Sequence, residues 1–464
     1  MFSRMNTTPL TSSPAPVFPG MAELVAEQKQ AAARGAAADG SEDQKLAAPP
    51  RLRRPDRAQV LLEPVCLDEQ LAADHPVRGV WAVLGRMDLT KFHDPILARG
   101  EAPGRASTDP RLLVALWLWA AINNVGSARR LEQLCQEHDA YRWLCGGVTL
   151  NHHTLSDFRV SHEKALDDLM TQVIAALVAR GVVKVERLSQ DSLRTRASAG
   201  SSSFRREQSL RELLVKARAH VEAVKKQIDE TADMPARQAA ARARAAREQF
   251  ERIEAAVALL PELQKAKEES DNGKPSKDRP VRVSTTDSEA RRIKLGGGAI
   301  APGYNVQFGI DTASRAIVGV DLINSGSDQG QSAPLRQQVE QRTGGKVKEH
   351  LFDGGFVNKE LIEQAESAGV AIYAPLPKGK NGQPCTQGRN DKPGVRAWRE
   401  RMMTAEAKSI YKERAATVET VNAEAKTYRG LSRFLVRGLC KTRCVALWSA
   451  LAYNVVHFAS VLNG

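Results

Sequence analysis

The spacing of apolar residues changes along the chain, and each change predicts a different layer of structure. Residues 1–55 mix Pro, Ala, Gly and charged residues without sustained periodicity and predict a disordered or weakly helical arm. From Pro64 to Gly181 apolar residues return every three or four positions, the period of helices. Asp109-Pro110 predicts an N-cap with proline at the first helical position, and Leu112, Leu113, Leu116, Trp117 and Ala120 line one face. Ser127 predicts the cap of a second short helix bearing Leu131, Leu134 and Cys135. Thr154 or Ser156 opens a third, which buries Phe158, Leu166, Leu169 and Val173 and carries Arg159, His162 and Lys164 at its front. Short helices with tight joints and a basic leading edge suit a helix-turn-helix, a pattern that any small helical bundle shares.

Residues 204–260 carry a heptad pattern. Leu210, Leu214, Ala217, Val221, Val224 and Ile228 form one stripe. After the break at Asp233-Met234-Pro235, a second stripe runs through Ala239, Ala243, Ala246, Phe250, Ile253, Val257 and Leu260. Two such stripes joined by a proline-containing turn predict an antiparallel helical hairpin, with arms of about 25 residues and roughly 37 Å. A polar linker follows at 272–280. From Tyr304 the period becomes two: Tyr304, Val306, Phe308 and Ile310 face one way, Asn305 and Gln307 the other. A turn over 311–315 leads to a strand in which Ala316, Val318, Val320 and Leu322 alternate. A helix from about Gln329 to Arg342, a strand ending at Asp353, a helix after Asn358 and a strand over 370–374 complete an α/β layer.

Charge narrows the partners. With 67 Lys and Arg against 54 Asp and Glu, the net charge of +13 draws polyanions and equally describes an ordinary basic protein. Arg51, Arg53, Arg54 and Arg57 close the N-terminal arm as a charge run that is solvated or touches phosphates. The six cysteines include no C-x2-C pair, so a structural zinc site is not expected and a reducing compartment is. Cys440 and Cys444 share a helix face, with burial their expected role. His152, His153 and His162 lack acid or cysteine partners at ligand spacing and are expected to cap helices or lie on the surface. The most apolar run, Leu112 to Ile122, has 11 residues, whereas a membrane span needs about 20. Residues 1–20 lack the apolar core of a signal peptide, and a cytoplasmic location is expected.

The C-terminal half offers chemistry. In Leu351-Phe352-Asp353-Gly354-Gly355-Phe356 an acid leaves an apolar strand into a glycine turn, a good place for a metal-binding carboxylate. In Tyr411-x2-Arg414-x4-Glu419-x6-Lys426, separations of 5, 7 and 12 residues amount to about 500°, 700° and 1200° of helix. That helix offers one acid for a metal and two cations for phosphates. Phosphodiester transfer uses two divalent ions roughly 3.5–4 Å apart, held by acids that converge from different elements. Taken singly, Asp353 also serves to accept its own turn's amides, and Glu419 to form exposed salt bridges. Asp287, Asp311 and Asp328 are rivals. Asp311 suits a hairpin turn, and Asp287 and Asp328 suit DNA contacts or helix caps.

These blocks, with Gln190-Asp191-Ser192-Leu193-Arg194-Thr195-Arg196 before them, resemble bacterial insertion-sequence transposases of the DDE class. Thr286-Asp287, Tyr304-Asn305-Val306-Gln307, Ser327-Asp328, Val436-Arg437-Gly438 and Ala452-Tyr453-Asn454 extend the resemblance over roughly residues 60–460. Outside that context, Asp191 before Ser192 suits a turn cap. The resemblance implies a ribonuclease-H-like mixed sheet with flanking helices over 182–203 and 281–464. It also implies an all-α DNA-binding domain over 56–181, with the hairpin and linker of 204–280 inserted after the first strand. Asp191, Asp353 and Glu419 are then the catalytic, metal-holding triad, with 162 positions between the first two. Arg414, Lys426, Tyr411, Arg194 and Arg159 are the expected DNA contacts. Two Mg²⁺ ions, with Mn²⁺ as substitute, terminal inverted repeats and target duplex as partners, at least a dimer on DNA, no membrane and association with the nucleoid follow in the same way. The family signature is often written with three residues between Arg and Glu; here there are four. A transposase-derived regulator without catalysis, and a nuclease that cuts without joining, are the alternatives.

Overall fold

Capping residues start the helices where the sequence predicts. The computed structural model describes residues 66–99, 106–231, 233–270, 280–379 and 382–464; the arm of residues 1–55, its arginines and nearly all of the 272–280 linker lie outside them. Among the described residues, α1 (Pro76–Leu84), α2 (Pro110–Ile122), α3 (Ala128–Glu137), α4 (Asp139–Cys145), α5 (His152–Ser161) and α6 (Glu163–Ala179) precede the first strand. The Asp109 carboxylate accepts the Arg111 amide at 2.8 Å, and the Ser127 hydroxyl accepts that of Arg130 at 3.4 Å. The single helix expected from Thr154 or Ser156 is two. Asn151 caps α5, and at His162 the backbone leaves helical angles (φ −119°, ψ 41°), which separates α5 from α6. His152 pairs with Glu132 at 2.9 Å.

A mixed sheet follows: β1 (Arg187–Arg196) leads, then the short β2 (Phe204–Arg205) and the helices α7 (Glu207–Glu230), α8 (Ala236–Ala258) and α9 (Leu260–Ser270). Next come β3 (Val283–Ser284), β4 (Arg291–Lys294), β5 (Ile300–Asp311), β6 (Ile317–Ile323), α10 (Ser332–Thr343), β7 (Glu349–Leu351), α11 (Lys359–Ser367), β8 (Ala371–Tyr373), α12 (Pro393–Met403), α13 (Ala405–Tyr428), α14 (Leu439–His457) and α15 (Ala459–Asn463). The long β5 pairs antiparallel with β1 along one edge and with β4 and β6 along the other. β7 joins β1 in parallel, and β8 joins β7. Four strands in antiparallel pairings (β4, β6, β5 and β1) continued by two parallel ones (β7 and β8), flanked by helices, are compatible with a ribonuclease-H-like core.

Register decides what each face carries. Asp191 pairs with Phe308 and Leu193 with Val306, so the acid shares an apolar face with the β5 core residues. Arg194 pairs with Asn305, and Asn305 and Gln307 lie on the opposite face. The alternation in β5 puts Asn305 and Gln307 on a polar face, and both are fully buried. The reason is α10 and the loop before it, which cover that face and bring Asp328 to accept from both amide NH2 groups.

The hairpin forms as its heptads predict. Leu210, Ala217 and Val224 of α7 and Ala246 and Ile253 of α8 are buried, and the remaining stripe positions are half-buried or better. At its base Phe204 and Arg205 pair with Ser284 and Val283, and Leu210, Ala256, Leu260 and Val283 form a small separate core. The main core is continuous from Leu71 to Leu462. At its centre α14 is buried on nearly every side, against α2, α5, α6 and β6. Cys444 is buried there, whereas Cys440 is exposed rather than covered, because the helix face they share turns outward at its first turn. Among the described residues no helix is long and apolar enough to cross a membrane.

Candidate active site

Asp191 lies mid-strand in β1 and looks toward α13, which supplies donors to both of its oxygens. Arg414 donates through Nη2 to Oδ1 at 2.8 Å, and Asn422 donates through Nδ2 to Oδ2 at 2.9 Å. Eight residues separate Arg414 from Asn422, about 800° of helix, so the two flank one face. Burial, the largest influence, holds the Asp191 carboxyl above the usual carboxylate range, with Arg414 opposing and Asp353 and Asp328 adding to the rise.

Asp353 follows β7, the parallel neighbour of β1, and comes to the same place. Its Oδ2 lies 3.9 Å from the same Arg414 nitrogen. Its Oδ1 accepts the Gly355 amide at 2.8 Å, so it does what an acid in a glycine turn is expected to do locally while remaining partly open. Gly355 is crowded by acids. A Cβ there would lie 3.0 Å from Asp353 Oδ1 and 3.5 Å from Asp328 Oδ2. Asp328 is buried and takes hydrogen bonds from Asn305 at 2.6 Å, Gln307 at 3.0 Å and Arg194 at 3.3 Å. It anchors its loop beside the site, neither capping a helix nor facing open solvent.

Glu419 is exposed on α13 and makes none of these contacts among the described residues. The helix explains why. Three intervening residues would put it about 40° from Arg414, on the Asp191 side; the fourth turns it to about 140°. The position so displaced is Val418, which is buried. Lys426 is exposed in the last turn of the same helix, and Tyr411 is half-buried one turn before Arg414. Arg194 is a third exposed and is held by the carbonyls of Lys294 and Gly326 as well as by Asp328.

Arg159 is corrected by the structure. It is buried, donates to the Gly126 carbonyl at 2.5 Å and lies 4.7 Å over the Trp117 ring. Burial pushes its guanidinium down to about 10. A side chain committed inside the helical layer does not reach phosphate. The rival acids are also structural. Asp287 accepts the Tyr304 hydroxyl at 2.7 Å and the Gly438 amide at 3.2 Å at the start of α14. Asp311 accepts the Ser314 amide at 2.9 Å in its hairpin turn. Sequence reasoning missed Asn422 and the placement of Asp328. The eight-residue spacing from Arg414 signals the first; nothing local signals the second.

Asp191 and Asp353 fit a cation, since one guanidinium nitrogen already stands between them. Among the described residues no three His, Cys, Asp or Glu side chains group closely enough to hold a metal ion, and Glu419 stays outside the pair. The chain matches two family models. One, described as a transposase domain (DUF772), spans residues 65–161. The other, a transposase DDE domain, spans residues 385–459 and takes in Arg414, Glu419, Asn422 and Lys426. No curated protein and no solved structure matches the chain. Domains of the DDE kind generally use divalent metals. With a transposase model matched on either side of the paired aspartates, the two matches support an insertion-sequence DDE transposase.

Proposed function

We propose that the protein binds the terminal inverted repeats of its own mobile element, cuts a strand at each end and joins the released 3′-hydroxyl to target DNA. The observation that carries this reading is the meeting of Asp191 and Asp353, 162 positions apart, from adjoining strands at one Arg414 nitrogen. In this reading the mixed sheet is a ribonuclease-H-like catalytic core. Asp191 and Asp353 hold divalent metal, with Glu419 as the third acid, brought in from the neighbouring stripe of α13. Two Mg²⁺ ions held there, or Mn²⁺ in their place, would supply activation of the attacking oxygen and stabilisation of the leaving one.

The chain's own groups do the rest. Arg414 and Lys426, on one helix, hold phosphate oxygens as charge-assisted donors, with Tyr411 one turn before Arg414 and Arg194, beside Asp328, as further DNA contacts. Asn422 orients the Asp191 carboxylate. The helical region up to residue 181 and the inserted hairpin bind DNA ends or a second subunit, and two ends joined together require at least a dimer.

Asp191→Asn, Asp353→Asn and Glu419→Gln keep side-chain volume and remove charge. Each is expected to lower cleavage in Mg²⁺ by roughly a thousandfold, the size of a lost metal contribution of several kcal/mol. End binding, measured by mobility shift, is expected to persist. Parental cleavage in any one variant excludes that residue from the site.

A further inference from the structure

Arg414 occupies the place that the reading above gives to metal. Its Nη2 lies 2.8 Å from Asp191 Oδ1 and 3.9 Å from Asp353 Oδ2. Among the described residues no other Lys or Arg comes within salt-bridge distance of either carboxylate. Asn422 takes the second Asp191 oxygen. Both oxygens of the deeper acid are therefore engaged by α13, and a divalent ion joining this pair would compete with the Arg414 guanidinium for Asp191. A guanidinium and a metal ion on the same oxygen would also repel one another.

The grip is an incomplete one. Arg414 reaches the acids through a single nitrogen, and its buried Nε has no partner. A guanidinium satisfied in full would use two parallel donors, as it does on a phosphate.

We propose that Arg414 is a displaceable latch on the metal site. In the DNA-free protein it neutralises Asp191 and Asp353 and weakens their hold on divalent ions. When duplex DNA is bound, the guanidinium turns onto phosphate oxygens and frees the two carboxylates. Metal loading is thereby coupled to substrate binding, and by linkage metal tightens DNA binding by the same factor. This rests on the reading that Asp191 and Asp353 hold metal and Arg414 holds phosphate.

The test titrates Mn²⁺ into full-length protein and follows free ion by electron paramagnetic resonance, with and without a duplex oligonucleotide. The Asp191→Asn protein with the same duplex measures Mn²⁺ taken by DNA and by other sites. Wild type is expected to bind Mn²⁺ about tenfold more tightly with DNA, and Arg414→Gln about tenfold more tightly without it, with no further gain on adding DNA. Circular dichroism melts check that the variant is folded. Equal Mn²⁺ affinity of wild type with and without DNA overturns the latch even if Arg414→Gln fails to fold. Folded Arg414→Gln binding no more tightly than wild type overturns it too. If Asp191→Asn binds Mn²⁺ as wild type does, the metal reading fails and the latch falls with it; loss of binding there beside an unchanged Arg414→Gln sinks the latch alone.

Discussion

Asp191, proposed as a metal-holding carboxylate, is also costly to the fold. Its proton affinity is raised by burial first and by Asp353 and Asp328 after it, against the pull of Arg414. A raised folded value means that the native state holds more protons than the unfolded chain just above the ordinary carboxylate range. In that window stability falls as pH rises. Asparagine does not ionise, so Asp191→Asn is expected to flatten that fall. In metal-free buffer its melting temperature should equal or exceed that of wild type at neutral pH while cleavage is lost. Thermal melts in chelator across pH 4 to 8 check this; a wild type that gains on the variant as pH rises would contradict it. Arg159 makes the complementary point. As a basic residue at a helix front it looks like a phosphate contact, but Trp117 and the Gly126 carbonyl claim it.

At the scale of elements, α13 and the hairpin behave differently. One residue more between Arg414 and Glu419 turns an acid away from Asp191 and Asp353 without disturbing the helix, because backbone hydrogen bonding is indifferent to which face a side chain occupies. The hairpin is held by its own seam and by the β2–β3 pair at its base. On α8, Arg237, Arg242, Arg244 and Arg247 are exposed and join no ion pair among the described residues. Replacing residues 211–252 with a short Gly/Ser turn keeps Leu210, Ala256, Leu260 and Val283 together. Such a protein is expected to fold with an unaltered Asp191–Arg414 contact and to lose most paired-end complex, as seen by native gel. Parental assembly and integration would make the hairpin a tolerated insertion.

For the whole molecule the governing fact is α14. It lies among α2, α5, α6 and β6, and Trp448 donates to the Arg159 carbonyl at 3.1 Å. The helical region is therefore roofed by a helix from the far end of the chain. A fragment of residues 66–181 would expose the apolar faces of α2, α5 and α6 that α14 covers. We expect it to aggregate or to melt without a cooperative transition, and to be rescued by co-expression with residues 182–464. A monomeric fragment with a sharp melt would show that the helices do not depend on the C-terminal part.

Periodicity and capping are local, and the sequence alone was sufficient for what depends on them. The caps at Asp109 and Ser127, both heptad stripes, the alternation in β5 and β6 and the glycine turn after Asp353 follow from neighbours a few positions apart. The break at His162 was not visible, since a helix stop there depends on how α5 and α6 pack. Nor was the burial of Asn305 and Gln307, which exists because Asp328 arrives from another loop to accept their hydrogen bonds. The site itself divides the same way. Asp191, Asp353 and Glu419 could be named from motifs, but only the register of β1 against β5 and β7 brings the first two to one guanidinium. Only the rotation of α13 decides that Asn422, rather than Glu419, faces them. Long-range pairing and helix rotation are settled by the packing of the whole chain, and no short stretch of sequence encodes them.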